Sequence, residues 1–167
     1  MPARLARRFV RQQDGTAAVE FALVATPFLA LTFAILETAM VFFASQTLET
    51  AAADSARLIM TGQAQSAGYA AADFKNQVCA RIYGLFDCAN GIYVDVKTYT
   101  SFASVATTPP ITNGTLDATK TSYTPGDVGN IVVVTLYYQW PIYVTLLGDN
   151  LSSSNLSGGK RLLVATA

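Results

Sequence analysis

The chain has 167 residues, a length that suits one folded domain and leaves little room for a second. Charged residues make up only 13% of the sequence, whereas a soluble domain averages roughly a quarter. The formal net charge is zero and histidine is absent, so composition argues against a basic nucleic-acid-binding protein and against histidine-based catalysis.

The shortage of charge is concentrated near the amino terminus. Residues 21–44 read FALVATPFLALTFAILETAMVFFA, and Glu37 is their only ionisable residue. As a helix this segment would extend about 36 Å, which exceeds a hydrocarbon core of about 30 Å. It is apolar all round, whereas a soluble surface helix would show one apolar stripe. The sequence therefore predicts a transmembrane helix, which we assign to residues 16–44.

The flanks of this span predict its orientation. Four arginines precede it: Arg4, Arg7, Arg8 and Arg11. Glu49 and Asp54 follow it before the next basic residue. Because a positive short flank is retained in the cytoplasm, residues 1–15 should form a cytoplasmic basic leader and residues 45–167 a periplasmic domain. The arginines are interpreted as a topology determinant, and phosphate binding is the alternative.

Two helices are predicted at the start of the external part. Helical periodicity continues from the span to about Met60 and ends at Gly62. A second helix is predicted over residues 69–85, with Phe74, Val78, Ile82 and Leu85 on its apolar face.

About three antiparallel strands should follow, which makes the fold class α+β. Residues 92–98 alternate with period two and place Asp95 and Lys97 opposite the apolar face. Residues 101–130 are rich in Thr, Pro, Gly and Asn and predict a long loop. The run 131–140 is apolar on both faces, as in a central strand, and the final RLLVATA predicts the last strand.

Cys79 and Cys88 lie in the predicted external domain. The pair lacks the partners of a zinc site, because the sequence has no histidine and no other cysteine. An oxidising compartment permits a disulfide between them, which would close a small loop after the second helix. Two buried free thiols are the alternative.

The junction between leader and span carries a carboxylate, Glu20, at the head of the membrane helix. A charge there costs free energy unless it is paired, by a few kcal/mol at the bilayer centre and less near its edge. If the chain were cut between Gly15 and Thr16, the new α-amino group would lie one helical turn from Glu20 and would neutralise it. The alternative is that Glu20 is solvated among the lipid headgroups.

The segment GTAAVEFALVATPFLA, residues 15–30, resembles the amino-terminal signature of the TadE-like family. These proteins are the minor pilins, or pseudopilins, of tight-adherence (Flp, type IVc) pilus systems. The resemblance includes the RRFVRQQDG leader, the AVEFALV core and Pro27, and it extends more loosely to YYQWP and to LLVATA.

This resemblance implies a processing site at Gly15 and Thr16, where a prepilin peptidase would cut on the cytoplasmic face. Glu20 and Phe21 would then form the recognition and registration pair. The implied partners are the lipid bilayer, the major Flp-type pilin, other minor pilins and the inner-membrane assembly platform. The protein would take part in pilus assembly, initiation or tip structure, and so in surface adhesion.

Three other features allow two interpretations each. Pro27 either bends the helix or is simply tolerated in lipid. Glu37 either reaches the outer membrane interface or makes an assembly contact. The last feature is a group of aromatic residues that either form an adhesive surface or pack within the sheet: Tyr137, Tyr138, Trp140 and Tyr143.

No sequence pattern indicates an enzyme, a cofactor, a metal site or nucleic-acid binding. The rival functions are a single-pass anchored binding protein and an exported periplasmic protein, both unrelated to pili. The mature amino terminus distinguishes the three: Thr16 for the pilin, Met1 for the uncleaved anchor and a residue near Asp54 for the exported protein.

Overall fold

The computed structural model describes residues 15–82, 84–144 and 151–167. Most of the predicted leader therefore lies outside the described residues. The elements in chain order are α1 (Thr16–Met60), α2 (Gln63–Ser66), α3 (Ala71–Cys79), α4 (Cys88–Gly91), β1 (Ile92–Tyr99), β2 (Ile111–Thr112), β3 (Thr115–Leu116), β4 (Ile131–Pro141) and β5 (Lys160–Thr166). The predicted α+β class is confirmed.

Helix α1 is one continuous helix of 45 residues, and its two halves have different surroundings. Within the described part of the chain, no residue before Val41 is buried. From there a stripe with helical spacing is buried: Val41, Ala44, Leu48, Ala51, Ala52, Ser55 and Ile59. The helix ends where the sequence predicts, because Gly62 adopts a left-handed conformation (φ 73°) that stops the helical ladder.

The main sheet is antiparallel, with strand order β1-β4-β5. Its central strand β4 pairs Val134 with Val96 of β1 and Leu136 with Ala165 of β5. These side chains belong to the same core cluster as the buried stripe of α1. Alanines in the stripe let the helix approach the sheet closely, and complete burial of Leu48 contributes roughly 1.5–3 kcal/mol to stability.

Helix α3 is shorter than the predicted helix over residues 69–85. The ladder ends near Cys79, and the N–H groups of Arg81 and Ile82 donate to carbonyls only three residues back. The tighter turn still buries Ile82 with Phe74 and Val78, so three residues of the predicted apolar face are confirmed. The predicted helix length was wrong, and Leu85 lies beyond the helix and is not buried.

Asp95 lies on the face of β1 opposite the α1 core, as predicted, but it is buried. Its carboxylate accepts hydrogen bonds from Ser122 N at 2.8 Å and from Lys97 Nζ at 2.6 Å. The cause is residues 122–124, which run beside β1 and bond to both backbone groups of Val96 at 2.8 Å. Part of the predicted long loop therefore covers the edge of the sheet.

The rest of that loop is also structured. It contains the β2–β3 hairpin, whose Gly114 carbonyl accepts a hydrogen bond from Ser157 N at 2.8 Å. Leu116 of the hairpin, Leu156 and Tyr137 are buried but lie outside the core cluster that contains α1. Burial on both sides of β4 explains why its sequence is apolar on both faces.

The structure contains the predicted disulfide between Cys79 and Cys88, with a Cα–Cα distance of 5.7 Å. It joins the end of α3 to the start of α4. Within the loop that it closes, the ring of Phe86 packs edge-on against Tyr138 at 4.8 Å and Trp140 at 5.8 Å between centroids. The bridge therefore holds an aromatic cluster against the end of β4.

Replacing both cysteines with alanine should lower the free energy of unfolding by on the order of 2–3 kcal/mol, because the unfolded chain regains the entropy of the open loop. A urea titration followed by circular dichroism measures this change. Non-reducing peptide mapping of the native protein should recover the linked pair, and two freely alkylated thiols would contradict the assignment.

Candidate assembly and membrane-interface site

Gly15 and Thr16 form an open junction at the first turn of α1. Gly15 is the residue before the first helical position, and its carbonyl accepts a hydrogen bond from Val19 N at 3.1 Å. A Cβ atom added at Gly15 would meet no described atom within 4 Å. Packing of the described residues therefore does not require glycine here, and a requirement would have to come from another molecule.

Glu20 and Phe21 lie on the uncovered half of α1, and Phe21 is 74% exposed. Within the described residues, Glu20 has no hydrogen-bond or ion-pair partner. Thr16 and Glu20 share one face of the helix, separated by one turn and about 6 Å along its axis. An amine created at Thr16 would therefore lie within reach of the carboxylate, and their pairing stays a prediction.

The hydroxyl groups in the apolar half of α1 are hydrogen-bonded to carbonyls of the same helix. Thr26, Thr32 and Thr38 each donate to the carbonyl four residues earlier, at 2.7, 2.8 and 2.9 Å. Such bonds allow a hydroxyl to face lipid without an unpaired donor. Pro27 lies inside the continuous helix, where its missing N–H removes one backbone bond. The predicted bend at Pro27 stays a prediction.

Glu37 makes a contact that sequence reasoning missed. Its carboxylate accepts hydrogen bonds from the backbone N–H groups of Tyr143 (2.5 Å) and Val144 (2.8 Å), which follow the end of β4. The signals were present separately, since a carboxylate in an apolar span needs a partner and Pro141 ends a strand. Their separation of 106 residues hides the pairing from the sequence.

The four aromatic residues near the end of β4 do not form one surface. Tyr137 and Tyr138 are buried and Trp140 is half-buried, whereas Tyr143 is 81% exposed. Packing within the sheet therefore accounts for Tyr137 and Tyr138. Trp140 is partly covered by the rings of Phe86 and Tyr138, and Tyr143 remains exposed at the level of Glu37.

The opposite end of α1 borders an open groove of about 990 Å³. Met60, Gln65, Pro125, Val128 and Val132 are among its lining residues. In the described part of the chain, no group of three His, Cys, Asp or Glu side chains is arranged to hold a metal ion.

The groups with shifted pKa values lie in the part of the chain that follows α1. The hydrogen bond to Asp95 raises the pKa of Lys97, and burial raises the pKa values of Tyr123 and Tyr137. Hydrogen bonds from Thr119 lower the pKa of Asp117. Packing and local hydrogen bonds account for each shift, so none of them indicates an acid or base prepared for catalysis.

Within the described residues, α1 is the one helix long and apolar enough to cross a membrane. A model of the TadE-like protein family matches residues 15–57, a segment that begins at the junction and includes most of the buried stripe. No curated protein sequence and no solved structure matches the chain. The resemblance predicted from residues 15–30 is therefore confirmed, and residues 15–57 are similar to the TadE-like family; we call these matched residues the TadE-like segment.

Proposed function

We propose that this protein is a minor pilin, or pseudopilin, of a tight-adherence (Flp-type) type IV pilus. In this proposal α1 anchors it in the inner membrane, with the sheet domain in the periplasm, until it joins the assembly. The observation that carries the proposal is the coincidence of the TadE-like segment with a helix whose apolar half is left uncovered by the residues that the structure describes. Lipid or other apolar helices must supply that cover.

The uncovered half of α1 suits both environments that a pilin meets. Its exposed side chains are chiefly Phe, Leu, Val, Ile and Ala, which contact lipid chains and neighbouring helices equally well. The surroundings of these side chains therefore remain apolar when the protein moves from the bilayer into the fibre. Glu20 is the exception, because a carboxylate between packed helices needs a counter-charge. The amine of a processed Thr16 has the right charge and position.

The proposed role is structural, without a catalytic step or a cofactor. Its partners would be a prepilin peptidase, the major pilin, other minor pilins and the inner-membrane platform. A membrane-anchored binding protein unrelated to pili is the second candidate, and the groove beside Met60 is the feature that favours it. Processing at Gly15 separates the two candidates.

With its cognate prepilin peptidase, the protein should lose residues 1–15 and begin at Thr16. Intact-mass measurement of membrane-extracted protein tests this. Gly15→Val should remain full length with an unchanged melting temperature, because the position is open in the structure. Full-length wild-type protein in the presence of active peptidase would refute the pilin proposal, and a chain beginning near Asp54 would indicate an exported protein instead.

Glu20→Gln should insert and be cleaved normally but fail to join the pilus, since an unpaired amine among packed helices costs several kcal/mol. Co-purification with pilus components and pilus number per cell should fall by at least about tenfold, which corresponds to about 1.4 kcal/mol. Glu49→Gln is the matched control, because Glu49 is an exposed glutamate on the same helix. Wild-type assembly by Glu20→Gln would mean that Glu20 is merely solvated.

A further inference from the structure

We propose that the end of β4 is a membrane-contact surface, in which Trp140 and Tyr143 lie among the phospholipid headgroups of the outer leaflet and Glu37 holds them there. The proposal rests on α1 spanning the bilayer and on its orientation. It requires no pilus component.

The depth of Glu37 along α1 is the first argument. A hydrocarbon core of about 30 Å that begins at Glu20 ends near residue 40 at about 1.5 Å per residue. The external domain begins to cover the helix at Val41, immediately above that level. Residues 143–144 reach one turn lower, to Glu37. The end of β4 is therefore the part of the domain that descends to the lipid.

The hydrogen bonds at Glu37 make this descent possible. Pro141 ends β4, so the N–H groups of Tyr143 and Val144 have no strand partner. Backbone donors and a carboxylate are each costly to leave unpaired beside hydrocarbon. Here they satisfy one another through two charge-assisted bonds. At this contact the two N–H groups and the carboxylate therefore do not face hydrocarbon unpaired.

The side chains around this contact have the composition of a membrane interface. Residues 137–144 contain no charged side chain, and the exposed Tyr143 combines an apolar ring with a polar hydroxyl. Tyr and Trp favour the headgroup level for that reason. Phe42 and Phe43 are exposed on other faces of α1, five and six residues beyond Glu37.

Two basic residues of β5 lie beside the end of β4. Lys160 pairs with Pro141 and Arg161 with Trp140 in the register of β5 on β4. Lys160 Nζ donates to Gln139 Oε1 of β4 at 3.3 Å, and the Arg161 guanidinium donates to the Leu151 carbonyl at 3.0 Å. Cationic residues near a membrane surface gain about 1 kcal/mol each from anionic lipids. The combination of aromatic, uncharged and basic groups fits a phospholipid interface better than an aqueous surface.

Trp140 provides the test, because it is the sole tryptophan of the chain. The full-length protein is reconstituted in phosphatidylglycerol vesicles that contain phosphatidylcholine brominated at shallow or deep acyl positions. We expect shallow bromines to quench Trp140 fluorescence more strongly than deep ones. The control is Val128→Trp in a Trp140→Phe background, since Val128 lies beside Met60, about 35 Å along α1 from Glu37. Trp140 quenched no more than this control would overturn the proposal.

Two variants test what holds the surface in place. Glu37→Gln removes the charge that binds the two N–H groups, and it should abolish the excess of shallow over deep quenching while Glu49→Gln retains it. Tyr143→Ser should weaken shallow quenching without changing the melting temperature, because Tyr143 is largely exposed. Wild-type quenching in Glu37→Gln would overturn the role of Glu37, and wild-type quenching in Tyr143→Ser would overturn the role of Tyr143. Cleavage at Gly15 is independent of either result.

Discussion

The packing of the second half of α1 against the sheet is the interaction on which the rest of the structure depends. Ala44, Ala51 and Ala52 present almost no side-chain bulk, so the backbone of the helix comes close to β4 and β5 while Leu48 fills the space between them. Because the helix continues without a break into its apolar half, this contact attaches the domain directly to the membrane segment. No flexible linker is needed between the part that meets lipid and the part that meets water.

The TadE-like segment includes both the exposed part and the buried part of α1. It begins with the exposed junction, passes through the apolar half and ends within the buried stripe, at residue 57. The similarity therefore covers first a helix segment that the described residues leave exposed and then one that packs in the protein core. The sheet strands lie beyond the match, so their arrangement in this chain follows from the structure alone.

Local patterns in the sequence were sufficient for much of the fold. Apolar composition and Gly62 indicated the extent of α1. The two-residue period indicated β1, and the apolar runs at 131–140 and 161–167 indicated β4 and β5. Cys79 and Cys88 lie close enough in sequence for their pairing to be predicted. Contacts between distant residues were beyond such reasoning. Asp95 is buried because residues 122–124 lie alongside β1, and no periodicity in β1 reports that neighbour.

The candidate site also contains residues that local sequence identified and contacts between distant residues that it did not. The junction residues were identified by local sequence, and their roles still await the measurements of cleavage and assembly. The partners of Glu37 were hidden, because the apolar span predicts that a carboxylate needs compensation but not which strand supplies it. The length predicted for α3 was wrong for the same reason. Ile82 reaches the core through a tight turn, and apolar spacing alone does not distinguish such a turn from a longer helix.

The continuity of α1 has a mechanical consequence. Residues 28–61 contain neither proline nor glycine, so neither residue type kinks or weakens the helix between its apolar half and the top of the domain. A force along the axis that raises the membrane segment by one helical pitch, about 5.4 Å, raises the sheet by the same distance. A rotation about the axis is transmitted equally. Any movement of the apolar half of α1 along its axis would therefore move the aromatic end of β4 with it.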